Sequence, residues 1–233
     1  MKNLILILNL SFLVFLSGCD NSGGISSSNS DSVAIPANDT TFDQYQNAFL
    51  QTGLKITNNN SNLENVKIAI SFSSFGFSPS SGGVVGECII GADANGNLQY
   101  RYIQIDKTYW NYISSPGWSS SNQQLMKEEL LYHELGHCYL GRVHTGATLA
   151  DGSPSSVMNP DVFSPLIYNE YRAQYINELF QNSALMTTTA SSLFNTNRGS
   201  SNSDFDPLSM VETHYQIRVV NGHSFESTRI IHH

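Results

Sequence analysis

The sequence predicts an α+β fold, in which a small twisted mixed sheet lies over one long helix. Two patterns of apolar residues carry this prediction. Residues 65–72 alternate apolar with polar side chains, which is the period of a half-buried strand. Residues 123–140 instead carry apolar side chains three and four positions apart, which is the period of a helix with one buried face. Together, the two periods predict strands and helices that pack into one domain.

The first 38 residues are predicted to be a targeting segment and a tether. An apolar run over residues 4–16 is too short for a stable membrane span, so residues 1–18 are expected to be a signal peptide. Leu16-Ser17-Gly18-Cys19 resembles the bacterial lipobox. The resemblance implies a lipid on Cys19 and attachment to a membrane of the bacterial cell envelope, either periplasmic or at the surface. A plain secreted protein is the alternative. Residues 19–38 are rich in Ser, Asn and Gly and predict a disordered tether.

The remaining residues, 39–233, are predicted to form a single domain. Their number suits one compact domain and is too small for two of ordinary size. We expect this domain to be a monomer. The formal net charge of the chain is −8, and an acidic surface argues against nucleic acid as a partner. Residues 181–233 show the least periodicity, and within them only residues 215–220 suggest a strand.

The elements ahead of the long helix follow from periodicity and from turn residues. Gly53 is expected to end the first helix. The Asn95-Gly96 pair is a strong hairpin signal between two strands. The predicted order is a helix over residues 41–52, a strand over 65–72, a Ser- and Gly-rich loop over 73–83, and strands over 84–90 and 99–105.

The long helix is predicted to run from Gln123 to about Leu140, with the serines before it as candidate caps. Gly141 is expected to end the helix, because glycine adopts the left-handed conformation at low cost. Turn-forming residues then replace any periodicity as far as Pro165. A final helix is predicted over residues 164–180.

A candidate metal site lies on the long helix, in the sequence His133-Glu134-Leu135-Gly136-His137. Residues four apart share one helix face, so both imidazoles can bind one zinc ion. Glu134 is displaced around the helix and can reach a water on the metal without binding the metal. If the chain reverses after the helix, His144 returns as a third ligand and leaves the fourth position to water. Zinc would lower the pKa of that water towards about 7, and Glu134 would take its proton.

The segment resembles the metzincin clan of zinc peptidases, whose signature HExxHxxGxxH precedes a tight turn that contains methionine. Ser156-Val157-Met158-Asn159-Pro160 is similar to that Met-turn. The resemblance implies a zincin fold with an active-site helix, a Met-turn and a C-terminal helix. It also implies that Met158 supports the metal site without binding the ion. The strand that carries Tyr102 would form the upper rim of the substrate cleft and pair with an extended peptide.

The third ligand departs from the clan pattern. Gly141 and His144 each stand one residue later than the pattern requires, and a one-residue extension of the helix or of the turn would explain both shifts. Glu170 is a rival ligand, because its surroundings are similar to the second-helix glutamate motif of gluzincins. Asp151 and Asp161 are further alternatives.

Two cysteines, Cys88 and Cys138, remain in the domain once Cys19 carries a lipid. An exported protein meets an oxidising compartment, so a disulfide between them is the preferred prediction. Two free buried thiols are one alternative. A Cys88 thiolate that binds the zinc as a latency switch is another.

The sequence therefore predicts a zinc-dependent metalloendopeptidase with one catalytic zinc ion, held by His133, His137 and His144. Glu134 would act as general base and acid on a peptide or protein substrate. Two other functions stay open. One is a surface binding lipoprotein whose zinc is only structural, and the other is a metal-dependent hydrolase of peptidoglycan or another amide.

Overall fold

A sheet of four strands forms one layer of the fold. The computed structural model describes residues 34–57, 67–92, 97–181 and 211–220. The order of strands across the sheet is β1-β3-β2-β4, with β1 parallel to β3 and with β2 antiparallel to both of its neighbours. Helices pack against this mixed sheet, which confirms the predicted α+β class. The strands are β1 (Ala69–Ser73), β2 (Gly82–Ala92), β3 (Leu98–Asp106) and β4 (Val211–Val220).

Several sequence predictions concern residues outside the described ranges. The described residues all belong to one compact unit. Among them, no helix combines the length and the apolar character that crossing a bilayer requires. The predictions that lie outside are the signal peptide at 1–18, Cys19, most of the tether at 19–38, the start of the strand at 65–72 and the Asn95-Gly96 turn.

The helices of the described residues agree with the predicted order, with two differences. The prediction that Gly53 ends the first helix is wrong, because Gly53 and Leu54 are both buried and the helix continues to Ile56. Packing here outweighs the glycine penalty of about 1 kcal/mol. A short second helix is too brief to show periodicity, and Asp106 caps it by accepting a hydrogen bond of 2.8 Å from the Tyr109 N–H. The helices are α1 (Asp43–Ile56), α2 (Lys107–Ile113), α3 (Ser120–Leu140) and α4 (Pro165–Gln181).

Both ends of α3 carry the caps that the sequence predicts. The Ser119 hydroxyl accepts a hydrogen bond of 3.3 Å from the Asn122 N–H. At the other end Gly141 is left-handed, with φ of 62°. Its N–H donates to the His137 carbonyl at 3.0 Å, and the Arg142 N–H donates to the Gly136 carbonyl at 3.1 Å. The bond from Gly141 to His137 is that of an αL cap, which turns the chain sharply out of the helix.

Aromatic packing joins three of the helices on one side of the sheet. Phe49 of α1 is fully buried. Its ring centroid lies 5.2 Å from that of Tyr132 and 5.8 Å from that of Tyr139, both on α3. The same ring lies 4.8 Å from that of Phe180 on α4. The position of α3, and of the motif that it carries, is therefore fixed from two directions.

The loop between α3 and α4 is held by polar side chains of these helices. Glu129 of α3 is fully buried and accepts a hydrogen bond of 3.0 Å from the Phe163 N–H. Burial raises the pKa of Glu129 to about 8. Glu178 of α4 forms an ion pair with Arg142 and accepts a hydrogen bond of 2.7 Å from the Ser156 hydroxyl. These contacts hold the loop at Arg142, Ser156 and Phe163, although the loop contains no helix or strand.

The strand predicted over residues 215–220 is present as the longer β4, which pairs with β2. The prediction that Tyr102 and its strand form a free rim is wrong. Tyr102 belongs to β3, which is bordered by β1 on one side and by β2 on the other. Sequence periodicity identifies a strand but carries no information about its place in the sheet, so this order was not predictable from β3 itself.

A disulfide bond joins the sheet to α3. Cys88 of β2 and Cys138 of α3 are bonded and fully buried, and they stand 50 positions apart in sequence. Of the alternatives open for these cysteines, the structure thus contains the bridge. Cys138 belongs to the turn of α3 that follows His137, so the bond ties the motif helix directly to β2.

We predict that Cys88→Ala/Cys138→Ala lowers the free energy of unfolding by about 2–4 kcal/mol, because a cross-link of this span restricts the unfolded chain. Denaturant unfolding of the oxidised protein and of the double variant measures the difference. Equal midpoints for the two proteins would contradict the prediction.

Candidate metal centre

Three histidine side chains converge at the C-terminal half of α3. The Nε2 atom of His133 lies 2.9 Å from Nε2 of His137 and 3.1 Å from Nε2 of His144. Their potential ligand atoms all lie within 4.8 Å of one another. Within the described residues, this is the one group of three or more His, Cys, Asp or Glu side chains arranged to hold a metal ion. His133 and His137 are buried, and His144 is partly exposed.

The other ring nitrogens of the two helical histidines face backbone carbonyls. Nδ1 of His133 lies 2.8 Å from the Val157 carbonyl, and Nδ1 of His137 lies 2.5 Å from the Arg142 carbonyl. A carbonyl oxygen only accepts hydrogen bonds, so each Nδ1 must carry the proton. In a neutral imidazole the facing Nε2 is then a bare lone pair. Two bare lone pairs therefore point at one another across 2.9 Å.

This donor set fits a zinc ion. Tetrahedral zinc with Zn–N bonds of about 2.0–2.1 Å places its ligand nitrogens about 3.3 Å apart, close to the two measured separations. Hydrogen bonds from Nδ1–H to carbonyls are the usual outer-shell partners of ligating histidines. Burial lowers the pKa of His133 to about 3 and lowers that of His137 well below its usual value. Both rings are thus kept in the neutral form that binds metal.

His144 reaches the cluster because the chain reverses at Gly141 and is then tied to the Met-turn. The Thr145 N–H donates to the Met158 carbonyl at 3.0 Å. Arg142 donates from its guanidinium to the carbonyls of Glu178 and Leu179, at 3.0 and 3.1 Å. The residues on either side of His144 are therefore anchored to separate parts of the fold.

The other candidate ligands lie elsewhere. Glu170 is exposed on α4 and does not belong to the histidine cluster. Asp151 accepts a hydrogen bond of 2.6 Å from the Tyr171 hydroxyl. Asp161 forms an ion pair of 2.7 Å with Arg218. The structure thus brings His144, and none of its three rivals, to His133 and His137.

Glu134 lies on the side of α3 that faces β2 and β4. Its side chain is fully buried, and a Cβ placed on Gly86 of β2 would lie 2.6 Å from its Oε1 atom. Only a glycine at this point of β2 leaves room for the carboxylate. Burial, and then the nearby Glu87, raise the pKa of Glu134 well above its usual value. The backbone amides of Ile217 and Cys88 lower it, although neither oxygen has a hydrogen bond of good geometry.

Met158 packs against α3 at Gly136, which lies between His133 and His137 in sequence. It is fully buried, and a Cβ placed on Gly136 would lie 2.7 Å from its Sδ atom and 3.0 Å from Cδ1 of Leu179. Gly136 stands between the two helical ligands, so its missing side chain is what lets the methionine approach the helix there. The Met158 N–H donates to the Ser156 hydroxyl at 3.1 Å, which fixes the turn.

Strand β4 contacts the cluster, and sequence reasoning missed this contact. The ring of Tyr215 is stacked on that of His137, with 4.5 Å between centroids and 13° between planes. Ile217, two residues on, is fully buried. The alternating pattern of residues 215–220 signals a strand, but nothing in it indicates a place beside the histidines.

His214 is the one other histidine among the described residues, and it takes no part in the cluster. Its Nδ1 atom lies 2.8 Å from Oε1 of Glu87. His223, His232 and His233 lie outside the described residues.

Protein-family models, curated proteins and solved structures were compared with this chain, and none of them matches it. A function must therefore be argued from the motif and from the geometry around it.

We predict that Gly136→Ala destabilises the protein by about 1–3 kcal/mol, because the added methyl group overpacks the contact with Met158 and Leu179. Zinc affinity should fall as well. Calorimetric unfolding and zinc titration measure the two effects. In an unconstrained helix the same change would stabilise by about 1 kcal/mol, so a gain in stability would contradict the prediction. Gly117→Ala is the matched control, since the nearest atom to its added Cβ is the Ser115 hydroxyl oxygen at 3.8 Å.

Proposed function

We propose that this protein is a zinc-dependent metalloendopeptidase of metzincin type. The observation that carries the proposal is the convergence of three Nε2 atoms from His133, His137 and His144, two of which belong to rings with Nδ1 facing a backbone carbonyl. Such a set of converging imidazole nitrogens favours a bound cation. Three protein ligands leave a fourth position for water or substrate, which is the arrangement of catalytic zinc sites.

The chain supplies the remaining groups that peptide hydrolysis needs. When bound, zinc supplies Lewis acidity, which makes a water nucleophilic near neutral pH and polarises a carbonyl. Glu134 adjoins the first ligand, and its carboxylate accepts the proton of the attacking water. The same carboxyl group then gives that proton to the leaving amine. A nearby dication favours the ionised carboxylate and so opposes the burial that raises the pKa of Glu134.

Three features support the metzincin type over the gluzincin type. Helix α3 ends with a left-handed αL cap at Gly141, which turns the chain back towards the proposed metal ligands. Met158 lies directly beneath the helix, as a Met-turn methionine would. Glu170, the gluzincin-like alternative, is exposed on α4. An α3 that extends to Leu140 accounts for glycine and histidine arriving one residue late.

The proposed substrate is a peptide or an unfolded protein, cleaved by a monomer. The site of action follows from the amino-terminal sequence. A lipid on Cys19 would hold the enzyme at a membrane of the cell envelope, and residues 19–38 would let the domain reach substrates beyond the membrane surface.

One observation favours a second candidate function, a zinc protein without catalysis. Glu134 is fully buried beneath β2 and β4, and a general base must meet water. In that case the zinc would stabilise the fold and β4 would be a permanent part of it. Hydrolysis of peptidoglycan or another amide, the remaining alternative, gains no support from a particular contact.

We predict that Glu134→Gln abolishes hydrolysis and leaves one zinc per chain. The rate should fall by about 100-fold or more, the usual contribution of a positioned general base. Digestion of an unstructured protein and elemental analysis of the same samples give the two readouts. Undiminished hydrolysis by this variant would contradict the mechanism.

The ligand set has its own matched pair of variants. His144→Ala should weaken zinc binding roughly 100-fold or more, since even outer-shell partners are worth about 10–100-fold. Glu170→Gln should leave zinc affinity unchanged. If Glu170→Gln weakens zinc binding and His144→Ala does not, the third ligand is Glu170.

A further inference from the structure

Strand β4 has the position of an added strand at the edge of the sheet. It pairs antiparallel with β2 from Gly82 to Ala92. If β4 were absent, β2 would be the edge of the sheet and would present a row of unpaired backbone groups. Residues 182–210 separate β4 from α4, so this strand is joined to the rest of the domain by a long connection.

The same strand is also bound from its other side. The Arg218 N–H donates to the Pro160 carbonyl at 3.1 Å, and the Val162 N–H donates to the Arg218 carbonyl at 2.9 Å. A parallel bridge relates Arg218 to Asp161. Residues 160–162 begin at Pro160, the last residue of the proposed Met-turn. Backbone hydrogen bonds therefore hold β4 both to β2 and to the loop beneath the metal site.

Between β2 and residues 160–162, the centre of β4 covers the proposed catalytic groups. The Tyr215 ring lies on the His137 ring, and the fully buried Ile217 has its backbone amide near the Glu134 carboxylate. An extended segment held by main-chain hydrogen bonds at a sheet edge is the general mode in which proteins bind peptides of varied sequence. In this chain, β4 occupies that place.

The side chains of β4 also make polar contacts. Glu87, which is buried on β2, contacts His214 at 2.8 Å and accepts a hydrogen bond of 2.6 Å from Gln216. Arg218 pairs with Asp161, and because both of these side chains are exposed, at 61% and 38%, their ion pair contributes little to stability. The buried side chains of Ile217 and Val219, with the backbone bonds, hold the strand.

We infer that β4 is an autoinhibitory strand, which lies in the peptide-binding cleft between β2 and residues 160–162 and keeps the enzyme latent. The inference rests on the proposed peptidase function and extends it to regulation. A substrate must displace β4 to pair with β2 and to reach Glu134. The buried Glu134 that favours a non-catalytic protein is, on this account, the latent state of the enzyme.

Two variants of the full-length, zinc-loaded protein displace β4. Ile217→Asp places a carboxylate in a buried site beside Glu134, and burying an unpaired charge is costly. Arg218→Glu replaces the ion pair with two carboxylates, at residue 218 and at Asp161, which repel each other. Because the side chain at position 218 is exposed, we expect this variant to fold. Val220→Asp is the matched control, because Val220 lies on the same strand and is 42% exposed.

Cleavage of a quenched fluorescent peptide is the first readout. Ile217→Asp should cleave the peptide roughly tenfold faster or more than the unaltered chain, because apparent affinity scales with the fraction of molecules in the open state. Arg218→Glu should show a smaller gain and Val220→Asp none. If all four proteins cleave at one measurable rate, the peptidase function stands and the inference is overturned. If Ile217→Asp does not fold, a rate for Arg218→Glu equal to that of the unaltered chain overturns it.

Peptide binding is the second readout and does not depend on hydrolysis. A labelled peptide with the sequence of residues 211–220 should bind Ile217→Asp at least tenfold more tightly than the unaltered chain, on the same population argument. It should also inhibit the cleavage by that variant, whereas a scrambled peptide should not. Tighter binding with no cleavage by any variant would support the claim that β4 occupies a peptide-binding cleft, and it would reject the peptidase function. Equal binding to both proteins would reject the autoinhibitory strand.

Discussion

The candidate site depends on two hydrogen bonds between imidazole and backbone. The carbonyls of Val157 and Arg142 fix the protons of His133 and His137 on Nδ1, and so leave both Nε2 atoms bare and facing one another. Without a cation this arrangement is repulsive, and burial prevents a proton from relieving it. The loop that supplies both carbonyls is therefore as necessary to the candidate metal centre as the helix that supplies the rings.

That loop is fixed by polar groups that have no other evident role. Glu129 holds Phe163 from α3, and Glu178 holds Arg142 and Ser156 from α4. Two glycines provide the close approaches that complete the centre. Gly136 admits Met158 beneath the ligands, and Gly86 admits the Glu134 side chain beneath β2. The disulfide between β2 and α3 joins these two layers beside the site.

Local signals explain what the sequence could predict. The ends of α3, its motif and its left-handed Gly141 depend on neighbours within a few residues, and they agree with the structure. Strands β2 and β3 agree with the prediction to within two residues at each end, whereas β4 is longer than predicted. The order of the strands depends on contacts far apart in sequence, so the cleft rim assigned to β3 was wrong and the position of β4 was missed. Gly136 gave a usable signal, because a glycine within a helix costs stability unless packing requires it. Gly86 gave none, since nothing local reveals that a carboxylate from α3 lies against it.

X-ray absorption at the zinc edge of the full-length protein tests the central claim most directly. The account predicts one zinc per chain, with four nitrogen or oxygen neighbours at about 2.0–2.1 Å and outer-shell scattering from three imidazoles. His144→Ala should reduce the imidazole count to two. A sulfur neighbour at about 2.3 Å, or a zinc with fewer than three imidazoles in the unaltered chain, would contradict the three-histidine centre and the mechanism built on it.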